Sequence, residues 1–382
     1  MHLAFCSAVT HPIARLRTTW LLAVLLAAAL PAHATKPPKV QWTKTFAGWG
    51  TAYGECVQQT ADDGYIVAGV TDSSDGPLRM AILLAKVDSL GATEWQRIIR
   101  AGGTIEANSV VQTADGGYAL TGMATLKDGA PGRVYLVKTD AQGELLWWRA
   151  VNNIAFARGY SLEQMDDRGF AIIAQWPVRD SGLLLYRTDS LGNCQWWRQY
   201  PVAYPSCMPC PVCLRRTSDR GFIIGARTLL KVDSLGNQEW HKSFEDIAGV
   251  NSVLQMPDGG YVAAGPTQTY SNTYLDEVDS LGNREWGQWY PDDTYACWVE
   301  QTTNNGFVLA GSVGPVDSSW AEAMLMRTSP NGTRLWTKTL CIGGATCVRL
   351  TKDGGYIVAG TRDSGPSGHQ IFLTKLAPDR TR

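Results

Sequence analysis

Histidine is scarce in this chain: there are five in 382 residues, and only His241 and His369 lie beyond position 34. Imidazole-based acid–base or metal chemistry therefore has little material. Net charge is also small, at −1, and without Arg15 and Arg17 near the start 32 basic side chains face 35 acidic ones. A near-neutral surface offers no electrostatic footprint for nucleic acid or anionic lipid. There is no P-loop, dinucleotide fingerprint, HExxH or Ser-His-Asp signature. The run Asp72-Ser73-Ser74-Asp75-Gly76 has the carboxylate density of a calcium loop but lacks the distant bidentate Glu, and reads as a polar turn. No metal and no cofactor is expected.

Long apolar runs are missing too. The longest, Trp20 to Leu30, is 11 residues, too short to cross a bilayer. With Arg15 and Arg17 before it and Ala32-His33-Ala34 after it, it reads as a secretory signal peptide over 1–34. The remainder, 35–382, is expected to be one soluble, monomeric domain without a membrane span, secreted or periplasmic. A C-terminal sorting domain is not expected, because only a short tail follows the last repeat.

What is abundant is tryptophan, 15 residues. Seven of them, Trp42, Trp95, Trp147, Trp196, Trp240, Trp286 and Trp336, are spaced 53, 52, 49, 44, 46 and 50 residues apart. Each copy holds four strand-like runs, here called a to d. In the second copy they are Ala107 to Thr113, Tyr118 to Gly122, Val134 to Thr139 and Glu144 to Ala150. A period of this length with four strands is the signature of a β-propeller.

Two connections are short in every copy. The a to b turn is Asp or Asn, any residue, Gly, then Tyr or Phe, as in Asp115 to Tyr118. Its glycines, Gly64, Gly117, Gly169, Gly221, Gly260, Gly306 and Gly355, are expected to supply the positive φ of the reversal. The acid before each is expected to accept turn amides rather than act in catalysis. The c to d turn repeats Asp-Ser-Leu-Gly at Asp88, Asp189, Asp233 and Asp279, with the tryptophan four residues after the glycine. That spacing resembles the Asp-x-x-Thr-Gly-x-x-x-Trp repeat of quinoprotein-like propellers, a resemblance that implies tryptophans docked between neighbouring blades. Runs such as Asp353 to Gly360 (DGGYIVAG) and Lys231 to Trp240 (KVDSLGNQEW) resemble the exported bacterial β-propeller repeat proteins over about residues 40 to 377. The likeness implies a fold and no catalytic set. Quinone-dependent dehydrogenases of similar repeat carry an adjacent Cys-Cys pair, absent here.

The ends set the count. The first strand, Val40 to Phe46, is a lone d strand, and the last, Ile371 to Ala377, is a c strand. Pairing them removes an exposed edge. The expected fold is all-β, a seven-bladed β-propeller of four-stranded antiparallel blades closed by the N-terminal strand completing the last blade.

The d to a and b to c loops differ in every copy and share the opposite face, where recognition is expected. Its aromatic candidates for ligand contact are Trp49, Tyr53, Phe156, Tyr204, Tyr295 and Trp320, together with Trp298 on the innermost strand of the sixth copy. The function expected is a non-enzymatic exported binding or scaffold module for a protein or polysaccharide. The alternative is a glycan-active, endoglucanase-like hydrolase, which needs two facing carboxyls. Glu106, Glu245, Asp246, Asp292 and Asp293 lie on that face, Asp292 and Asp293 being the densest pair.

Eight cysteines remain beyond the signal. Cys207, Cys210 and Cys213 form a knot for which an exported setting favours disulfides over metal. Cys341 and Cys347 are placed to close a local staple. Cys56, Cys213 and Cys347 share one repeat position with Ser109, Ser161, Ser252 and Trp298, and read as core filler. The basic residues Lys86, Lys138, Arg187, Lys231, Arg327 and Lys375 are expected to pair with nearby carboxylates or carbonyls, Glu277 being the exception.

Overall fold

The computed structural model describes residues 36–379 apart from 49, 74–75, 101–102, 126–129, 152, 177–181, 203–211, 269–271 and 315–320, and also leaves out the side chains of 73, 76–79 and 367. The segment read as a signal peptide lies outside the described residues, which belong to the single unit Ala34–Arg382.

After β1 (Val40–Phe46) come five four-stranded antiparallel sheets. The first is β2 (Ala52–Gln59), β3 (Tyr65–Ser73), β4 (Gly76–Val87) and β5 (Thr93–Ile99), and the second is β6 (Ile105–Gln112), β7 (Tyr118–Ala124), β8 (Arg133–Thr139) and β9 (Leu145–Ala150). The third is β10 (Arg158–Gln164), β11 (Phe170–Trp176), β12 (Gly182–Thr188) and β13 (Cys194–Pro201). The fourth is β14 (Cys213–Arg216), β15 (Phe222–Gly225), β16 (Leu229–Val232) and β17 (Gln238–Lys242), and the fifth is β18 (Ser252–Gln255), β19 (Tyr261–Pro266), β20 (Thr273–Val278) and β21 (Arg284–Tyr290). Last come β22 (Thr294–Gln301), β23 (Phe307–Val313), β24 (Glu322–Thr328), β25 (Arg334–Leu350), β26 (Tyr356–Asp363) and β27 (His369–Leu376). These six join β1 in a seven-stranded sheet, ordered β1-β27-β26-β25-β24-β23-β22. β25 serves it twice: Arg334 to Ile342 pair with β24, and Gly343 to Leu350 pair with β26. The lone N-terminal strand does pair with the C-terminal one, from Val40 opposite Leu376 to Phe46 opposite Ile371.

The second and third strands of each sheet are apolar because they are covered on both faces. β12 is buried at every position and β8 at all but its first, so they read as continuous Val and Leu runs rather than alternating ones. The recurrent tryptophan closes the gap to the following sheet. Trp42, Trp95 and Trp240 meet Tyr65, Tyr118 and Tyr261 edge to face at 5.7, 5.8 and 5.7 Å. Each ring also lies on a turn glycine of that sheet: a Cβ on Gly143 would come within 2.5 Å of Trp95. The same glycine has φ +76, so two constraints select glycine there.

The a to b turn corrects the sequence expectation. Its invariant glycine is not the residue at positive φ; that residue is the one before it, Asp63, Gly116, Arg168, Arg220, Gly259, Asn305 or Gly354. The invariant glycine is required by close approach, since a Cβ on Gly117 would strike the Thr139 carbonyl and one on Gly64 the Val87 carbonyl. The acids do accept the turn amide, Gly117 N–H to Asp115 at 3.0 Å for example. They also hold the buried basic residues: Lys86, Lys138, Lys231 and Lys375 lie 2.9, 3.0, 2.7 and 2.9 Å from Asp62, Asp115, Asp219 and Asp353.

Candidate functional site

The a strands β2, β6, β10, β14, β18 and β22 and the second half of β25 lie side by side. Glutamines at their ends stitch neighbours together: Gln112 accepts Ala61 N–H at 2.8 Å, Gln164 accepts Ala114 N–H at 2.8 Å, and Gln59 accepts Lys352 N–H at 2.8 Å. One position earlier the residues are Gln58, Val111, Glu163, Arg215, Leu254, Glu300 and Arg349. Four of the seven are charged, and the structure gathers them.

Glu300 is the hub. Its carboxylate accepts from Arg215 at 2.9 Å, from Arg349 at 2.7 Å and from the indole N–H of Trp298 at 2.8 Å. Both guanidinium groups lie over the Trp298 ring, at 4.8 and 4.5 Å from its centroid, within cation–π range. The three charged side chains keep about a fifth of their surface accessible, 17% for Arg215, 22% for Arg349 and 20% for Glu300. Burial alone would raise the Glu300 pKa, but Arg215 and Arg349 outweigh it and hold the carboxyl below its usual range. Glu163 faces the same arginines, yet burial dominates there and its pKa is raised. Two arginines and two glutamates balance in formal charge.

A second layer comes from β-bulges. The ladders of β2, β6, β10, β22 and β25 shift register around Glu55, Asn108, Tyr160, Cys297 and Thr346, and a bulge re-aims the extra side chain. Asn108 donates to the Gly159 carbonyl at 2.6 Å and Thr346 to the Gly54 carbonyl at 2.9 Å. An ionised Glu55 has no proton to donate in this way. Burial pushes its pKa up to about 7, with Arg158 opposing and Glu106 adding to the rise.

That shift gives a pH signature. A raised folded pKa means the folded chain keeps a proton that the unfolded chain releases above about 4.5, so stability falls as pH rises from about 4.5 to about 7. Glu55→Gln removes that loss. Urea unfolding should find the variant close to the parent at pH 5 and more stable at pH 8 by on the order of 1–3 kcal/mol. A difference that does not change with pH would refute the buried acid.

No protein family and no curated protein matches this chain by sequence. Solved structures do match it in shape. The WD40 domain of Neurospora crassa Pan2 aligns with TM-score 0.56 at 8% identity, covering 90% of this chain and 96% of that one. A protein of unknown function from Dyadobacter fermentans aligns with TM-score 0.53 at 12% identity over 90% and 99%. Quinohemoprotein alcohol dehydrogenase from Comamonas testosteroni aligns with TM-score 0.52 at 10% identity over 92% and 78%. The fold is a β-propeller. At such identities the likeness extends to the fold alone, distantly quinoprotein-like, and brings no chemistry with it.

On this propeller the aromatic candidates separate. Tyr53 is 37% exposed and stacks against His369 at 5.3 Å, and Phe156 is 57% exposed. Tyr295 is half-buried at the start of β22. Trp298 is no free platform: it is half-buried beneath two arginines. Trp49, Tyr204 and Trp320 lie outside the described residues.

Three acids of the variable face are engaged by arginine. Glu106 meets Arg158 at 2.8 Å, Asp246 meets Arg284 at 2.7 Å, and Asp292 pairs with Arg334. Asp293 holds φ +49 and its carbonyl accepts Gly314 N–H at 3.0 Å.

The cysteine reading changes as well. Cys341 and Cys347 are free thiols in opposite halves of β25, facing Ala323 and Ala359 respectively. An extended strand carries them apart, so no staple closes between them. Cys213 is a buried free thiol whose pKa burial pushes up to about 11; Cys207 and Cys210 lie outside the described residues. The shared repeat position is more than filler. Cys56 donates to the Val110 carbonyl, Ser161 to that of Leu214 and Cys347 to that of Val57, at 3.9, 3.4 and 3.7 Å.

Proposed function

We propose that the chain is a closed seven-bladed propeller, in which the seven-stranded sheet is two blades sharing β25, and that it works as a non-enzymatic exported binding or scaffold module. Export rests on the signal-like segment 1–34. The variable-loop rim engages a protein or a polysaccharide, and the charge-balanced cluster around Glu300 braces the channel behind it.

The observation that carries this reading is Phe156. A bulky residue at φ +63 is a backbone outlier, held by its N–H to the Gly132 carbonyl at 2.6 Å, and it leaves the ring more than half exposed. Strain of this kind persists where the surroundings enforce it, and it clusters at functional sites. Tyr53 with His369 offers a second aromatic surface on the same rim.

The test is a thermal-shift screen of the full chain against soluble polysaccharides, since a ligand of the native state raises the midpoint by mass action. A polysaccharide that binds should lose roughly tenfold or more in affinity on Phe156→Ala or Tyr53→Ala, as expected of aromatic anchors, with no cleavage of the polymer. Unchanged affinity in both variants would sink the rim assignment. Cleavage that disappears in Asp292→Asn or Asp293→Asn would replace it with the hydrolase reading.

A further inference from the structure

β25 crosses from one copy to the next without a loop. In the six other copies a loop separates the two strands, the shortest being 291–293 and the longest 202–212, whereas in β25 the pairing with β24 ends at Ile342 and the pairing with β26 begins at Gly343. The rim is therefore notched at this point. A cavity of about 230 Å³ lies there, lined by Ser312, Ala321, Ile342, Gly344, Asp363 and His369 among others. It shares Ile342 and Asp363 with a second cavity of about 330 Å³, which reaches Thr374 on β27 and Thr43 on β1. Together they make one groove running from the rim to the outermost strand of the sheet.

The floor of the groove is Gly344. Within a fold, glycine is selected where φ is positive or where a Cβ has no room. A Cβ on Gly344 would meet nothing within 4 Å, and its φ is not positive. The other described glycines with such open space, Gly116, Gly259 and Gly365, have φ of +84, +94 and +63. Neither reason within the described residues selects glycine at 344. That leaves the third use of the residue, close approach of the backbone to a bound molecule.

We propose that this notch is a saccharide groove, in which an uncharged polysaccharide passes over Gly344. This rests on the reading of the rim as a polysaccharide surface and fixes where on the rim the chain lies. The walls suit hydroxyl groups better than a protein anchor. Ile342, 45% exposed, is the only exposed large apolar side chain lining them, too little to bury an anchor residue. Ser312, Thr43 and Thr374 offer hydroxyls, Asp363 a carboxylate and Arg362 a guanidinium, so sugar hydroxyls find both donors and acceptors. Asp363 accepts Gly365 N–H at 2.8 Å, which holds its carboxylate in place. One acid and one base balance across the groove, which matches an uncharged chain. At the inner end His369 stacks against Tyr53, 37% exposed, at 5.3 Å, and offers a flat surface to a sugar ring.

The experiment measures binding of dextran, galactomannan and hydroxyethylcellulose to the full chain by affinity electrophoresis, with thermal unfolding of each variant alongside. Gly344→Val, whose side chain enters open space, should melt no lower than the parent and bind the polysaccharide roughly tenfold or more weakly. Ile342→Lys sets a charge on the same floor at an exposed position and should weaken binding likewise; it decides the matter should Gly344→Val fail to fold. Unchanged affinity in the folded variants overturns the groove. The rim reading survives that outcome where Phe156→Ala still weakens binding. Failure of the parent to bind any of these polymers, or binding of a charged polysaccharide or a peptide in their place, also overturns the proposal.

Discussion

Glu300→Gln is expected to destabilise the chain by about 3–5 kcal/mol, the scale for breaking a largely buried ion pair. The variant keeps the size and the hydrogen-bonding oxygen of the side chain, so Trp298 can still be accepted. What it loses is the negative charge that lies 2.9 and 2.7 Å from Arg215 and Arg349. Two guanidiniums over one indole would then share only Glu163, whose ionisation burial already disfavours. Urea unfolding of parent and variant measures the effect, with Glu239→Gln as the comparison. Glu239 also pairs with a buried base, Lys231, at 2.9 Å, but is 43% exposed itself, and Asp219 remains on the same lysine at 2.7 Å. Its loss should cost no more than about 1 kcal/mol. Similar losses in the two variants would mean that Glu300 is solvated and that the cluster braces nothing.

The repeat was legible because its constraints are local and recur. Val40 to Phe46 is the strand bounded in the structure, and its pairing with β27 follows from counting a lone d strand against a missing one. The tryptophan docking was equally plain, since a large aromatic at a fixed distance from a turn glycine needs a neighbour to cover it. The a to b glycine is ambiguous in sequence. Sequence shows that glycine is invariant, yet positive φ and absence of room for a Cβ produce the same invariance, and only the position of the c-strand carbonyl separates them.

The site was less legible. Glu163, Arg215, Glu300 and Arg349 are far apart in sequence, and each looks like an ordinary surface charge within its own copy. The available signal was the column one residue before the end of each a strand, where charges replace the Val111 and Leu254 of other copies. Alternation of sign down that column is visible without coordinates; which glutamate takes both arginines is not. From sequence Trp298 is an off-pattern aromatic that reads as a ligand contact, because nothing in sequence says that two arginines cover it. The contact of Cys347 with the Val57 carbonyl joins residues 290 positions apart and has no local signature.

Among the seven recurrent tryptophans, Trp336 should matter most, with Trp336→Ala costing about 3–5 kcal/mol. It is 6% exposed, whereas Trp42 and Trp95 are only half-buried, and it packs against Tyr356 at 6.3 Å within a cluster that includes Phe372, Leu376 and Val358. Trp42 and Trp95 rest on a c to d turn glycine of the next sheet. Among the described residues Trp336 meets no such glycine; at the corresponding place β27 runs up to β1, with Ala377 N–H donating to the Lys39 carbonyl at 2.9 Å. Asp379 fills that place, accepting from Tyr356 at 2.7 Å and from Arg327 at 3.0 Å. Removing the indole therefore opens a cavity beside a buried polar contact, at the sheet whose outer edge is completed by β1. Truncation should accordingly cost more at Trp336 than at Trp42, where the ring already borders solvent. Thermal or urea unfolding of the two alanine variants decides the order, and a larger loss at Trp42 would place the weak point of the fold in the N-terminal strand itself.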